Sequence, residues 1–160
     1  VLRESPWTLA LENKRVLLVH PFVATIQQQL ERRQTIHHRE LLPECEIILV
    51  RPPQTLAANT EGFESWFSAL SKLKTDCLRE EFDVAILSCG AYGLPLGALL
   101  RSKGKTVIHL GGVTQLLFGV RGRRWADLDA YQNLATDSWT DVLDFDRPPG
   151  YKNVDGGVYW

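Results

Sequence analysis

The sequence predicts an α/β fold, a Rossmann-like three-layer sandwich built on a mainly parallel sheet. Short β-branched runs without polar alternation, the mark of strands covered on both faces, recur as far as Leu110. They alternate with segments whose apolar residues fall at helical spacing. Two of the runs also end directly in glycine-bearing turns that open a helix, the place where open α/β sheets bind ligands.

The first run, KRVLLVH at 14–20, is a strand stopped by Pro21. In the following VATIQQQLERRQ, at 23–34, Val23, Ile26 and Leu30 form one stripe, an amphipathic helix. EIILV at 46–50 is a second buried strand, closed by Arg51, Pro52 and Pro53. Phe63, Trp66, Phe67, Leu70, Leu73 and Leu78 predict the longest helix, over 62–80. Residues 83–88 make the third strand, 92–103 the third helix and 106–110 the fourth strand. Beyond Leu110 the alternation fades into short helices at 113–118 and 127–134. An irregular stretch at 147–151 then leads to Tyr159 and Trp160. Strands and helices in this rhythm imply right-handed crossovers with helices on both faces.

A chain of 160 residues, 44% apolar and 23% charged, suits one globular domain. Its formal charge of −1 argues against a dedicated nucleic-acid binder. Cys45, Cys77 and Cys89 include no C-x-x-C pair, so neither a disulfide framework nor a thiolate zinc site is indicated. No apolar run approaches the ~20 residues of a membrane span and no signal-type segment opens the chain. The expected location is cytoplasmic. The chain contains no Met, even at position 1, which suggests a processed chain, an excised domain or a fragment.

Charge is unevenly placed. Between Asp83 and Trp125 the only acidic residue is Asp83, against Arg101, Lys103, Lys105, Arg121, Arg123 and Arg124. An anionic ligand is favoured there. Ser88-Cys89-Gly90-Ala91-Tyr92-Gly93 follows a strand and precedes a helix, so free N–H groups of Gly90, Ala91 and Tyr92 would point at an anion beyond the strand ends. Gly90 and Gly93 are free to take positive φ and admit a phosphate; equally, they serve to close a tight turn. The sequence is neither G-x-G-x-x-G nor a P-loop.

His109-Leu110-Gly111-Gly112-Val113-Thr114-Gln115 repeats the arrangement one strand later. Thr114 and Gln115 suit hydrogen bonds to a base or a sugar hydroxyl, or, for Thr114, a helix cap. His20 and His109 both end strands, where a histidine acts as general base, phosphate donor or core residue. Tyr92 suits stacking on a base or on its own helix. Arg121, Arg123 and Arg124 suit bidentate phosphate contacts, or an exposed basic loop. Cys89 reads as a small buried thiol. Asp127-Leu128-Asp129 and Asp144-Phe145-Asp146 have the D-x-D form that bridges Mg²⁺ or Mn²⁺ to a diphosphate, although helix capping suits the same residues.

PWTLAL (6–11), KRVLLVHPF (14–22), SCGAYGLPLGALL (88–100), HLGGVTQLLFGVRGRRW (109–125) and the terminal GGVYW resemble a group of proteins from bacterial polysaccharide-biosynthesis gene clusters. Those proteins are in turn similar to GT-D-type glycosyltransferases. The resemblance implies a Rossmann-like fold and transfer of a sugar from a nucleotide diphosphate donor to a glycan acceptor, usually with Mg²⁺ or Mn²⁺. GT-D enzymes carry an early acidic D-x-E-type metal motif, and nothing before Asp76 has that form. The resemblance thus matches the carboxyl-terminal part of a longer protein, with the acidic motif expected upstream of Val1.

The leading expectation is a single-domain glycosyltransferase unit that holds a nucleotide sugar. Gly90, Ala91, Tyr92, Gly93, His109, Gly111, Gly112, Thr114 and Gln115 would surround the donor. Arg121, Arg123 and Arg124 would neutralise its phosphates, with His20 as acid/base candidate. The alternative is a non-catalytic nucleotide- or partner-binding module.

Overall fold

The computed structural model describes residues 6–56, 58–126 and 129–160. Four strands, β1 (Arg15–Val19), β2 (Glu46–Val50), β3 (Val84–Leu87) and β4 (Thr106–His109), form one sheet in the order β2-β1-β3-β4. Every pairing is parallel, with Leu18 opposite both Leu49 and Ile86, and Ile86 opposite Ile108. Helices α1 (Val23–Leu30), α2 (Trp66–Arg79) and α3 (Gly93–Ser102) connect them in turn. The protein is a Rossmann-like α/β sandwich.

Strand alternation divides the core into two layers. Leu17, Val19, Ala85 and Leu87 pack against Ala69, Leu70, Leu73 and Cys77 of α2 and against Leu96 and Leu100 of α3. Val16, Leu18 and Ile86 face the other way, onto Ile26 of α1 and onto Leu117, Phe118 and Val120. This is what right-handed crossovers require when the chain moves from β1 to β2 on one side and then returns past β1 to β3. Leu73 is fully buried, and its truncation to Ala would cost ~2–5 kcal/mol.

Several elements differ from their sequence-based bounds for identifiable reasons. The longest helix begins at Trp66 rather than near Gly62. Gly62 is left-handed (φ 79°), and Ser65 and Ser68 form a reciprocal capping box with both N–H to Oγ distances at 3.1 Å. The helix predicted over 23–34 ends at Leu30, and a 3-10 turn (Arg33–Thr35) follows that swings Ile36 fully into the core. The 113–118 helix is 3-10 in form and starts at Gly111 (Gly111–Phe118). Of the 127–134 helix, Asp129–Gln132 is helical (α4), while residues 127 and 128 lie outside the described residues.

Because α1 spans only eight residues, other segments complete its layer. Buried Gln29 donates through Nε2 to the carbonyls of Gly119 and Ser138, at 3.1 and 3.0 Å. Trp139 Nε1 donates to Ile36 O at 2.7 Å. No described helix is long and apolar enough to cross a membrane.

Candidate functional site

The chain leaves β1 toward β2 on one side, while β3 lies on the other. This order places a topological switch between β1 and β3, and ligands in open α/β sheets bind outside the carboxyl ends of strands at such a point. A cavity of about 320 Å³ opens there. Pro21 after β1, residues 52–56 after β2, Trp66 at the start of α2 and residues 88–92 after β3 line it.

The turn after β3 is held firmly. Ser88 N–H extends the ladder to Val19 O at 2.8 Å, and Ser88 Oγ donates to Gly111 O at 2.7 Å, tying together the two glycine turns. Gly90 is left-handed (φ 53°), and a Cβ there would meet nothing within 4 Å, so its backbone faces open space. Gly90 and Ala91 are exposed, and a 3-10 turn (Gly90–Tyr92) leads straight into α3. Contrary to expectation the Tyr92 N–H is not free, since it donates to Cys89 O at 3.1 Å, and the Gly93 N–H donates to Gly90 O, so Gly90 and Ala91 carry the N–H groups left for an anion.

Gly93 departs from expectation. Its φ is −62°, an ordinary helical value. The space a Cβ would need is occupied by the imidazole of His109. Gly93 therefore makes room for His109, and positive φ is found at Gly90 alone of the pair. His109 itself stands exposed at the end of β4.

Tyr92 is buried and stacks on Trp66, rings 5.1 Å apart and 6° from parallel, while its hydroxyl hydrogen-bonds Thr55 Oγ1. The ring thus packs on α2 rather than on α3. The loop that carries Thr55 is pinned by Glu61, which accepts from Gln54 N–H at 3.0 Å and pairs with Arg51 at 2.7 Å. Residues 52–56 and Trp66 escape sequence inspection; the Pro52-Pro53 pair directly after a strand is the one signal that could have pointed to them.

His20 lies beside the switch point but is only 1% exposed. Its Nδ1 accepts from Phe22 N–H at 3.0 Å, so the neutral ring carries its proton on Nε2, which has no partner. Burial lowers its pKa from 6.5 to about 3. Such a ring is a hydrogen-bond donor near neutral pH rather than a proton acceptor. Burial likewise pushes the Cys89 thiol up to about 12, which keeps it protonated and poorly nucleophilic.

The second glycine turn is largely self-satisfied. Gly111 is left-handed (φ 65°) and its carbonyl also accepts from Thr114 Oγ1 at 2.8 Å. Buried Gln115 donates through Nε2 to Val120 O and Arg121 O, at 3.3 and 3.0 Å. Both side chains direct their donors to the chain itself, so a ligand at this turn would meet Gly111 and exposed Gly112 instead.

The arginine loop belongs to a different cavity. Arg121 and Arg123 line a space that shares no residue with the one at Gly90. Arg124 sits between the rings of Trp125 and Tyr159, 5.5 and 5.3 Å from their centroids. The sequence-predicted residues therefore form two separate groups rather than one.

The D-x-D segments have other occupations. Asp146 caps α1, accepting from Ala24 N–H at 3.2 Å and Thr25 N–H at 2.7 Å, and Asp144 pairs with Arg147 at 2.5 Å. Asp127 lies outside the described residues. Among the described residues no group of three or more His, Cys, Asp or Glu is placed to hold a metal ion. Comparison with family models, curated proteins and solved structures finds no match to this chain.

Proposed function

We propose that this chain is the nucleotide-binding domain of a nucleotide-sugar-dependent glycosyltransferase of glycan or polysaccharide assembly. The observation that carries the proposal is the cavity at the β1/β3 switch, bordered by the open Gly90 turn. Left-handed Gly90 lets the donor diphosphate approach the backbone, and the N–H groups of Gly90 and Ala91 are the ones left to meet charge that builds on the leaving nucleotide. Trp66, exposed and stacked on Tyr92, gives a flat apolar wall against which a base or sugar can rest. These residues contribute binding and orientation.

A second reading, a non-catalytic nucleotide- or partner-binding module, draws on one observation. His20, the acid/base candidate, is buried and neutral. A thermal-shift panel of UDP, GDP, CMP, NAD and S-adenosylmethionine tests the ligand class. Saturation at ~100 Kd adds ~2.7 kcal/mol to the native state, a readily measured shift. The proposal expects stabilisation by a nucleoside diphosphate. A shift confined to NAD or the methyl donor overturns it, and diphosphate binding without release of nucleotide from any nucleotide sugar in the presence of glycan acceptors favours the module.

A further inference from the structure

The cavity beside the arginine loop has a composition of its own. It measures about 360 Å³ and is lined by Arg121, Arg123 and Arg147, with Tyr131 and Trp160 as aromatic walls and Asp141 as its one carboxylate among the described residues. The arginines are incompletely neutralised. Arg121 reaches Asp141 only at 4.0 Å, Arg123 donates to the Gly156 carbonyl rather than to an anion, and Arg147 pairs with an Asp144 side chain that is 95% exposed. Two donors in the walls, Arg147 Nε and Trp160 Nε1, are buried with no partner. Buried N–H groups left unpaired are costly, and clustered guanidinium groups repel one another, so this arrangement favours occupation by an anion.

The lining is drawn from far apart in the chain. Arg121 and Arg123 follow the Gly111–Phe118 segment, whereas Arg147 follows directly on Asp146, the residue that caps α1. Arg121 N–H donates to Thr140 O at 2.8 Å, across a parallel bridge between Val120 and Thr140 that brings the two stretches side by side. The backbone thus fixes the convergence of the three cations.

We infer that this cavity is a second anion site, independent of the Gly90 turn, that takes a phosphate- or diphosphate-bearing ligand. Guanidinium groups match phosphate oxygens with paired N–H donors. In a glycosyltransferase such a site would suit a phosphorylated acceptor, but the inference stands on the cavity alone and does not depend on that activity.

Inorganic pyrophosphate is the probe, titrated by calorimetry at low ionic strength against the parent chain, an Arg121→Gln/Arg123→Gln double variant and an Ala91→Trp variant that fills the other cavity. The expected results are saturable binding to the parent, a saturable site that survives in Ala91→Trp whatever is lost at the Gly90 turn, and a loss of about tenfold or more in the affinity of that surviving site when Arg121→Gln and Arg123→Gln are added. Absence of binding to the parent, or unchanged affinity of that site in an arginine variant shown by circular dichroism to be folded, overturns the inference. Loss of all binding in Ala91→Trp also overturns it, because the anion would then sit at Gly90 alone. If the double variant does not fold, phenylglyoxal modification of the parent gives the same decision. Pyrophosphate should protect Arg121 and Arg123 while leaving exposed Arg79 reactive, and equal reactivity with and without pyrophosphate contradicts the site.

Discussion

The carboxylate of Asp146 grips Thr25 twice, accepting at Oδ2 from its backbone N–H at 2.7 Å and from its Oγ1 at 2.6 Å. α1 has no local side-chain cap, since Phe22 precedes it, so a residue 121 positions away supplies the negative charge its N-terminus favours. Asp146 is 6% exposed. Asp146→Ala should therefore lower the unfolding free energy by about 2–4 kcal/mol, because it leaves buried N–H and O–H donors unpaired. Urea unfolding of the two proteins measures this, and a loss within ~0.5 kcal/mol would contradict the capping role.

Gly90 and Gly93 should respond oppositely to substitution. Gly90→Asn keeps a residue type that tolerates left-handed φ and projects into open space, so the fold should persist while nucleotide binding weakens. Gly93→Ala should instead displace the exposed His109 ring, at a modest cost in stability, and leave binding intact. Calorimetric titration with UDP on both variants, with His109 followed by NMR, separates the two roles. Equal effects on binding would show that the turn acts only through its shape.

The fold was legible where local pattern is sufficient. β2 occupies the residues its apolar run predicts, but as an edge strand it is half-buried rather than buried, because the strand order that puts it at the edge is not written in the local pattern. The start of α2 was not, since the decisive signal is a Ser65/Ser68 pair rather than the commoner Glu or Gln partner. The site was half legible. The Gly90 turn announces itself between a strand and a helix, but its far walls, residues 52–56 and Trp66, meet it only through the sheet order. The same non-local arrangement separates the arginines from Gly90 and gathers Arg147 to them.

His20 should set part of the acid sensitivity of the fold. Its folded pKa of about 3 lies below the ordinary 6.5, so protons bind the unfolded chain preferentially between these values. Its contribution is fully present above pH 6.5 and is lost as pH falls toward 3, at up to about 1.4 kcal/mol per pH unit. His20→Asn retains an acceptor for Phe22 N–H and removes the titration. Its stability should be flatter than that of the parent between pH 6.5 and about 5, above most carboxylate titrations. Identical slopes would mean that His20 is accessible to solvent in the native state.

Amide chemical shifts during titration with UDP test the nucleotide site most directly, since they report each backbone N–H separately. A nucleotide at the Gly90 turn should give the largest changes at Ser88, Gly90, Ala91 and Tyr92, with accompanying shifts at Thr55 and the Trp66 indole, and with uridine giving much smaller changes at Gly90 and Ala91 than UDP. Saturable binding that leaves the Gly90 and Ala91 amides unmoved and perturbs a different part of the chain would contradict it.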